Sequence, residues 1–561
     1  MEEEVEVQDP GDNPMKMQKL ATLRMGTRSL CERPVDETWP QFVERSRGFL
    51  TEDSPKTLFQ SFVQEYDVSK AYAQFALTFE ACRDDAGRLS PADWSQASGR
   101  FPFQVMRDTL KGLPHKLQEL FHLFEKRASL SDFVTNGTRF CQGGRLAGRH
   151  CVVVGCGPVG FRAAIELRLL GARVTIVDKR ETFSRINILH LWEWTGDDLK
   201  GLGAKVFSPP TGLFGADPSL LHSGINEIQS LLMKVSLLLG VEVLFGVKFV
   251  KLEARASGAR VYLEPASTGA PPSPVGAKAI DGVGVLLAAN GFTGKAGLMP
   301  IVGLAGMESI PMGFKSQPRI GLIANFRPTG GVEERRLRSF ALAKQFFKRK
   351  FAEAYESTGA ALENVVYVKG EGTHYCVMTV SKESLLATGV LLEERSGSEL
   401  LASSNVDTAK LDALARALLS LRWVSYAPPV LPTLEFDLGG ESVENVIPTG
   451  LFDFSRQFRA QPAFAVQGEG SGAFCIAPIG DALIEPFWPQ GLGVIRGFLG
   501  ALDACASVKR WSCGEDLERI VADHAAANNQ LQNLNAESRQ KILKDNFKTY
   551  GLMPQTRYKQ L

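Results

Sequence analysis

The feature that most constrains this chain is an apolar strand that runs directly into a glycine-rich turn. Residues 151–154 are Cys-Val-Val-Val, and the hexad Gly155-Cys156-Gly157-Pro158-Val159-Gly160 follows them at once. The residues after the hexad have the apolar spacing of a helix, which is the context in which a G-x-G-x-x-G hexad binds a dinucleotide. The hexad therefore predicts a Rossmann-type unit that begins near residue 150.

The three glycines of the hexad have separate tasks. We expect Gly155 to make the sharp turn, Gly157 to let backbone N–H groups approach a pyrophosphate, and Gly160 to let the helix pack on the strand. Asp178 stands at the end of the next predicted strand, residues 173–177. A carboxylate there accepts ribose hydroxyls and repels a 2′-phosphate. The site is therefore expected to bind NAD or the adenosine half of FAD, with a plain structural turn as the alternative.

A second element helps to choose between these two cofactors. The apolar residues 473–479 end in Gly480-Asp481, and residues 494–511 then have helical spacing. This order would place Asp481 near the ribityl chain of a flavin, with helix N–H groups at the ring carbonyls. The other Gly-rich stretches, 282–284 and 468–472, run into strands, and we interpret them as turns.

Composition narrows the class of protein. The 561 residues are 44% hydrophobic, which is enough for a sizeable globular enzyme, and the net charge of +1 creates no field for nucleic acid or an acidic membrane. Cysteines and histidines show no metal-type spacing, and the longest apolar run, residues 231–250, is interrupted by charges. The acidic start argues against a signal peptide. We expect a cytoplasmic protein without a metal site, a membrane span or a nucleic-acid partner.

Four longer runs of sequence carry a family resemblance. They are residues 178–192 (Asp-Lys-Arg-Glu-Thr-Phe-Ser-Arg-Ile-Asn-Ile-Leu-His-Leu-Trp), 362–367 (Leu-Glu-Asn-Val-Val-Tyr), 373–379 (Thr-His-Tyr-Cys-Val-Met-Thr) and 480–489 (Gly-Asp-Ala-Leu-Ile-Glu-Pro-Phe-Trp-Pro). In this order they resemble the flavin monooxygenase module of the MICAL family. The resemblance implies that NADPH reduces FAD, that oxygen forms a flavin hydroperoxide, and that the oxidised sulfur belongs to methionines of actin. Without substrate, such an enzyme releases hydrogen peroxide.

The resemblance also implies contacts to FAD from both parts of the predicted site. Carried over by position, these residues are Gly155, Gly157, Val159, Gly160, Asp178, Lys179, Arg180, Arg185, Ile186, Asn187, Phe249, Tyr375 and Asp481. Trp488 is implied to face the flavin ring as the catalytic residue, with an ordinary core position as the alternative. The chemistry agrees, since guanidinium groups neutralise phosphates and an aromatic face holds a thioether.

The sequence departs from the family pattern at four positions. Val159 and Ile186 replace a cysteine and an asparagine, and we expect them to supply only backbone groups. Asn226 stands where an arginine is expected, and Leu492 breaks a Gly-Thr-Gly. These two positions bear on the flavin ring or on its pyridine-nucleotide partner.

The expected fold class is α/β, with a Rossmann-type FAD-binding domain like that of p-hydroxybenzoate hydroxylase. An inserted mixed-sheet substrate lobe and an N-terminal helical lobe complete it. The predicted parts are a flexible tail at 1–30, the helical lobe at 31–147, the FAD-binding domain at 148–300 and 440–512, the substrate lobe at 301–439 and a C-terminal helical segment at 513–561. A helix is predicted near residues 340–357, and a Pro/Gly/Ser-rich surface loop at 264–279.

Three functions stay open from the sequence. The first is an FAD-dependent, NADPH-consuming monooxygenase that oxidises methionine in a protein such as filamentous actin. The second is hydroxylation of a small aromatic metabolite on the same fold, and the third is a flavin-binding scaffold with little turnover. Residues 344–351 mix cations with phenylalanines. They either dock an acidic protein surface such as actin or form a solvated helix face over core phenylalanines.

Overall fold

The structure is a computed structural model of the chain. It describes residues 37–50, 54–83, 89–130, 146–205, 207, 221–266, 278–291, 307–311, 319–370, 373–396, 399–424, 431–437, 448–453, 456–486, 492–532 and 534. The predicted tail at residues 1–30 lies outside this part of the chain.

The described residues form helices and strands in an α/β order. The helices are α1 (Trp39–Phe49), α2 (Pro55–Gln64), α3 (Val68–Cys82), α4 (Pro91–Ser98), α5 (Pro102–Thr109), α6 (His115–Leu130), α7 (Pro158–Leu169), α8 (Glu193–Lys200), α9 (Ile225–Leu238), α10 (Val332–Arg336), α11 (Lys348–Thr358), α12 (Lys382–Ala387), α13 (Thr408–Leu419), α14 (Gly493–Ser512) and α15 (Leu517–Gln532). The strands are β1 (His150–Val154), β2 (Arg173–Val177), β3 (Ile188–Leu191), β4 (Leu221–Gly224), β5 (Glu242–Leu244), β6 (Val247–Arg255), β7 (Gly258–Pro265), β8 (Lys278–Ala288), β9 (Met307–Pro311), β10 (Arg319–Phe326), β11 (Phe340–Ala343), β12 (Leu362–Lys369), β13 (His374–Ser381), β14 (Thr449–Asp453), β15 (Arg456–Ala460), β16 (Ala465–Gln467) and β17 (Phe474–Pro478).

Helices α1–α6 precede the first strand and share one apolar core. Proline opens α2, α4 and α5, where its missing N–H removes no hydrogen bond. The side chains of Ser54, Asp67 and Ser90 cap α2, α3 and α4 by accepting a backbone N–H from three residues further on. The inward faces carry buried rings, namely Phe59, Phe62, Phe75, Phe79, Phe103 and Phe121. This core continues into α7 and α9, so the helices stand against the nucleotide-binding unit.

The first sheet contains the predicted Rossmann-type unit. Its parallel strands lie in the order β17-β8-β1-β2-β5, with β16 as an antiparallel edge strand and β6 and β7 extending from β8 as an antiparallel ribbon. Helix α7 connects β1 to β2, and these two strands are parallel neighbours. Strand β1 is buried along its whole length, as expected for a parallel strand covered on both faces. The α/β prediction with a Rossmann-type unit is confirmed.

Residues 319–453 build a second sheet in the order β11-β12-β13-β10-β14. Its pairings are all antiparallel, so the mixed pairing that we expected of this lobe occurs instead in the first sheet. Helices α11 and α13 cover one face through a shared apolar core. On the other face Tyr375 packs in a cluster with Ile188 of β3. Strand β14 pairs with β10 and so belongs to this sheet, although it lies beyond residue 439, the predicted end of the lobe.

Two local predictions are corrected by the strand pairing. The predicted helix at 340–357 begins only at Lys348, because Phe340–Ala343 pairs with β12 and buries Phe340 and Leu342 alternately. The Gly-rich residues 282–284 lie inside β8 rather than in a turn, and they coincide with register shifts toward both neighbouring strands. Of the predicted loop at 264–279, residues 267–277 lie outside the described part of the chain.

A buried polar cluster ties α10 to the second sheet. The carboxylate of Glu334 accepts hydrogen bonds from the backbone N–H and hydroxyl of Thr329 at 2.9 and 2.8 Å, and lies 3.1 Å from Nε2 of His374. The other ring nitrogen of His374 lies 2.8 Å from the hydroxyl of Tyr367. Burial would raise the pKa of Glu334, but its hydrogen bonds outweigh this and hold the pKa at about 2. The cluster therefore fixes an anionic carboxylate in the core.

We predict that Glu334→Gln destabilises the chain at neutral pH by up to about 3 kcal/mol of unfolding free energy, since the pKa lies well below its ordinary value. A lowered carboxyl pKa gives stability above the unfolded pKa of 4.5, and this stability is lost as pH falls through about 2. Denaturant unfolding of both proteins over acid pH should show the difference shrinking. Glu333→Gln, on the exposed face of the same helix, is the control and should change little. A pH-independent difference would contradict the assignment.

Candidate functional site

The hexad forms the turn between β1 and α7, and two of its glycines are sterically required. Gly155 has φ of +112°, a region that side chains rarely adopt, and a β-carbon there would overlap the backbone carbonyl of Ala289. A β-carbon on Gly160 would overlap the carbonyl oxygen of Gly155. The positive φ and the nearby Ala289 backbone thus require glycine at position 155, and the close approach of α7 to the turn requires glycine at position 160, which agrees with the tasks predicted for them.

Asp178 lies directly beside the hexad. Its Oδ2 accepts the backbone N–H of Cys156 at 2.7 Å, and its Oδ1 accepts the backbone N–H of Arg180 at 2.9 Å. Each carboxylate oxygen has a second lone pair for another donor. The side chain is partly exposed, so a ribose hydroxyl can reach it. The acid at the end of β2 and the turn at the end of β1 thus form one binding edge.

Asp481 and Arg185 bring charge to the same edge from other elements. Asp481 follows β17 in the turn Gly480–Ala482, and β17 is parallel to β8, which is parallel to β1. Burial raises the pKa of Asp481 to about 6, although the nearby charge of Arg185 opposes this. The side chain of Arg185 reaches solvent, although the surrounding protein desolvates its guanidinium group. This desolvation lowers its pKa, Arg180 lowers it further, and Asp481 and Asp178 raise it. The predicted residues from both parts of the sequence therefore interact electrostatically.

The residues present fit FAD on two observations. At Gly157 no atom lies within 4 Å of the position a β-carbon would take, so the backbone at the start of α7 is open to a pyrophosphate. Asn290, at the end of β8, has a buried side-chain oxygen without a hydrogen-bond partner among the described residues. An unpaired buried acceptor at a ligand edge is an available contact. The edge thus offers phosphate donors, a ribose acceptor, a free amide oxygen and guanidinium groups.

The other predicted residues are on several different elements of the fold. Lys179 and Arg180 are exposed after β2, and Ile186 and Asn187 lead into β3. Phe249 is on β6, where it packs partly buried against the core of the first sheet, and Tyr375 is buried on the second sheet. Among the described residues, no hydrogen bond joins Phe249 or Tyr375 to the hexad. Trp488, the predicted catalytic residue, lies outside the described residues.

Sequence reasoning missed residues that support the hexad from other helices. The side-chain amide of Gln229 on α9 donates to the carbonyl of Cys156 at 2.9 Å. The guanidinium of Arg162 on α7 forms a bidentate pair with Asp198 on α8, at 2.6 and 3.0 Å, and all three residues are buried. Only Asn290 carried a readable signal, because it ends an apolar strand of the kind that supplied Asp178 and Asp481. Gln229 and Asp198 follow no motif.

A large cavity adjoins the site on the side of the helical lobe. Its volume is about 1530 Å³, and helices α2, α6 and α9 line it. Ile186 and Asn226, two of the four departures from the family pattern, are on its wall, and Ile186 is also a predicted FAD residue. Among the described residues no helix is long and apolar enough to cross a membrane. Nor do those residues contain a cluster of His, Cys, Asp or Glu suited to a metal ion.

Fold and site together define a dinucleotide-binding protein of the Rossmann type. Comparison with known proteins narrows this class. A family model described as "Mical, Rossman domain" matches residues 319–443. In the structure these residues belong mainly to the second sheet and its helices, whereas the hexad lies outside the match.

Related sequences cover more of the chain. The [F-actin]-monooxygenase MICAL1 of Mus musculus is 38% identical over 430 residues, 75% of this chain and 37% of that protein. MICAL1 of Homo sapiens is 35% identical over 80% of this chain and 40% of its own length, and mical2b of Danio rerio is 33% identical over 90% of this chain and 27% of its own. The chain belongs to the MICAL family, and it spans between about a quarter and two-fifths of the length of these relatives.

Solved structures show a more distant likeness. The anhydrotetracycline hydroxylase OxyS from Streptomyces rimosus is 16% identical, with a TM-score of 0.43 over 73% of this chain and 74% of that one. A likeness of this extent carries no conclusion about activity.

We predict that Gly157→Ala weakens FAD binding without destabilising the cofactor-free chain. The new methyl group meets no protein atom, but it occupies the space through which the pyrophosphate approaches the backbone N–H groups. Titration followed by flavin fluorescence should show a loss of affinity of about tenfold or more, with an unchanged melting temperature. Gly160→Ala is the contrasting variant and should lower the melting temperature itself. Equal FAD affinity in Gly157→Ala and wild type would rule out this phosphate site.

Asp481 gives a pH prediction for the cofactor-free chain. Because its folded pKa of about 6 exceeds the ordinary value of 3.8, its contribution to stability is complete below 3.8 and is lost as pH rises through 6. Wild type should therefore lose melting temperature relative to Asp481→Asn between about pH 4 and about pH 7. Asp197→Asn, at an exposed position on α8, should run parallel to wild type. Parallel curves for Asp481→Asn as well would contradict the raised pKa.

Proposed function

We propose that this chain is an FAD-dependent, NADPH-consuming monooxygenase that oxidises methionine in a protein substrate such as filamentous actin. One observation carries the proposal. The carboxylate of Asp178 accepts a hydrogen bond from the hexad backbone, and Asp481 and Arg185 interact electrostatically at the same edge of the sheet. Two carboxylates at separate strand ends of one edge suit the ribose and the ribityl chain of a flavin dinucleotide rather than a mononucleotide. The relatives named [F-actin]-monooxygenases support the choice of reaction.

Each part of the edge has a task in this proposal. Backbone N–H groups at Gly157 and the guanidinium groups of Arg180 and Arg185 would hold the pyrophosphate, and Asp178 would accept the ribose hydroxyls. Asp481 would accept a hydroxyl of the ribityl chain. When bound and reduced, FAD supplies the activation of oxygen. Trp488 would face the ring and hold the substrate thioether against its aromatic face.

The nicotinamide nucleotide needs an entry of its own. The sequence offers no second glycine hexad, so NADPH would approach FAD through an open space rather than through a second Rossmann unit. The cavity beside the site is such a space, and its wall contains both Ile186 and Asn226. We therefore propose that NADPH reaches the flavin from this side.

The preference for a protein substrate has support from the surface. Among residues 344–351, Phe346 is 75% exposed and Phe347 is 40% exposed, whereas Phe351 is buried. The expectation of a helix face over core phenylalanines is therefore right for Phe351 and wrong for the other two. Exposed rings between Lys344 and Lys348 favour a docking surface for an acidic protein. Actin filaments are cytoplasmic, and we propose the same compartment for this chain.

We predict that filamentous actin accelerates NADPH oxidation by the purified, FAD-loaded chain. The reason is that a bound methionine consumes the activated oxygen productively, and mass spectrometry should then find sulfoxide at specific actin methionines. The measurement is absorbance of NADPH with and without actin, together with a peroxide assay. The same chain without FAD is the control for flavin-independent oxidation.

The competing functions give different results in the same assay. Steady oxidation that is indifferent to actin and yields only peroxide would exclude actin and leave a flavin oxidase or a small-molecule hydroxylase. FAD that binds stoichiometrically but is not reduced by NADPH would establish a flavin-binding scaffold. Replacing NADPH by NADH in a parallel series measures the nucleotide preference.

A further inference from the structure

We propose that Gly497 is a positioning residue that sets the separation between the two ends of the FAD site. The inference rests on the proposed function, because it assumes that one FAD molecule contacts both the hexad and the Gly480–Ala482 turn. It concerns a residue of α14 that belongs to neither motif. Its role follows from what its missing side chain allows the neighbouring backbone to do.

Three segments of backbone meet around the side chain of Val159. Val159 is the second residue of α7, and a β-carbon placed on Gly497 would overlap its Cγ2. The same β-carbon would lie 3.6 Å from the Cα of Gly480. A β-carbon on Gly480 would in turn lie 3.1 Å from Cγ1 of Val159. The valine is therefore a spacer between the start of α7, the turn that carries Asp481 and the first turns of α14.

Both ends of the proposed cofactor site are attached to this spacer. Val159 is part of the hexad, whose backbone N–H groups face the pyrophosphate, and Gly480 precedes Asp481, which faces the ribityl chain. The covalent bonds of FAD limit the distance between its pyrophosphate and its ribityl chain. If the hexad and the Gly480–Ala482 turn move apart, FAD that contacts the hexad can therefore no longer reach Asp481.

Two contacts restrain helix α7 close to this spacer. Helix α7 is held to α8 by the buried bidentate pair between Arg162 and Asp198, one turn after Val159. Further along, Cys505 of α14 packs against the carbonyl of Ala163, with the sulfur 3.7 Å from the oxygen. Because Cys505 joins α14 to α7 further along, an added methyl group at Gly497 would displace the first turns of α14 and the adjoining turn, while the hexad stays with α7. The ADP half of the site would remain intact.

Helix α14 contains a matched control for this substitution. Gly500 is one turn further along, and a β-carbon there would lie 3.4 Å from Cδ1 of Leu531 and 3.9 Å from Cδ2 of Leu483. Both are ordinary contacts with the ends of flexible side chains. Gly500→Ala adds the same methyl group and the same gain in helix propensity without touching the spacer.

The test compares FAD with ADP, because ADP occupies only the hexad half of the site. Calorimetric titration of the cofactor-free chain should show that Gly497→Ala weakens FAD binding by about tenfold or more, since over-packing of this size is costly. ADP affinity should stay within about twofold of wild type. Gly500→Ala should bind both ligands as wild type does. The double variant Val159→Ala/Gly497→Ala, which removes the overlapping methyl groups, should recover most of the FAD affinity.

The outcomes separate positioning from simple loss of structure. A general destabilisation by Gly497→Ala would weaken ADP and FAD together and would overturn the inference, as would FAD binding equal to that of wild type. Failure of the double variant to recover FAD affinity, with ADP binding preserved, would also overturn it. A wild-type chain that binds ADP but not FAD would contradict the proposed function itself, and the inference with it.

Discussion

The structure depends on the convergence of parallel strand ends at one edge of the first sheet. Strand β1 ends in the hexad, β2 in Asp178 and β17 in Gly480. Parallel strands connected through helices present their carboxyl ends on the same side, so groups that are more than about 300 residues apart in sequence become neighbours. The bond from the backbone of Cys156 to the Asp178 carboxylate fixes the first two ends to each other at 2.7 Å. The FAD contacts that we propose for the hexad, Asp178 and Asp481 are arranged around this edge.

The local motifs of this edge could be predicted from sequence, whereas their supports could not. A strand, a hexad and an acid obey short-range rules, and so Gly155, Gly160 and Asp178 lie where those rules put them. Phe340–Ala343 became a strand because β12 offers a pairing partner, and β14 joined the second sheet because β10 has a free edge. Such choices are tertiary, and local periodicity does not contain them. The bond from Gln229 to the hexad is of the same kind.

Charge at the edge is arranged for a ligand rather than for the empty chain. Burial of the Asp481 carboxylate raises its pKa to about 6, so its ionised form is unfavourable in the empty chain. The charge of Arg185 offsets only part of this effect. Arg185 itself is desolvated by the surrounding protein and lies near the like charge of Arg180. A pyrophosphate between the two guanidinium groups would remove their repulsion, and a hydroxyl donor at Asp481 would stabilise its buried carboxylate. Functional sites tolerate such local conflicts when a bound group resolves them.

The run at residues 178–192 explains how cofactor and substrate regions are held in register. Arg185 interacts electrostatically with Asp178 and Asp481 at the nucleotide edge. Three residues later, Ile188 packs with Tyr375 of the second sheet. One short segment thus anchors both sheets, so it cannot shift at one end without disturbing the other. This double attachment gives a physical reason for the length of the family resemblance there. It also means that the face of the second sheet carrying Tyr375 is positioned by the same residues that contact FAD in the proposed function.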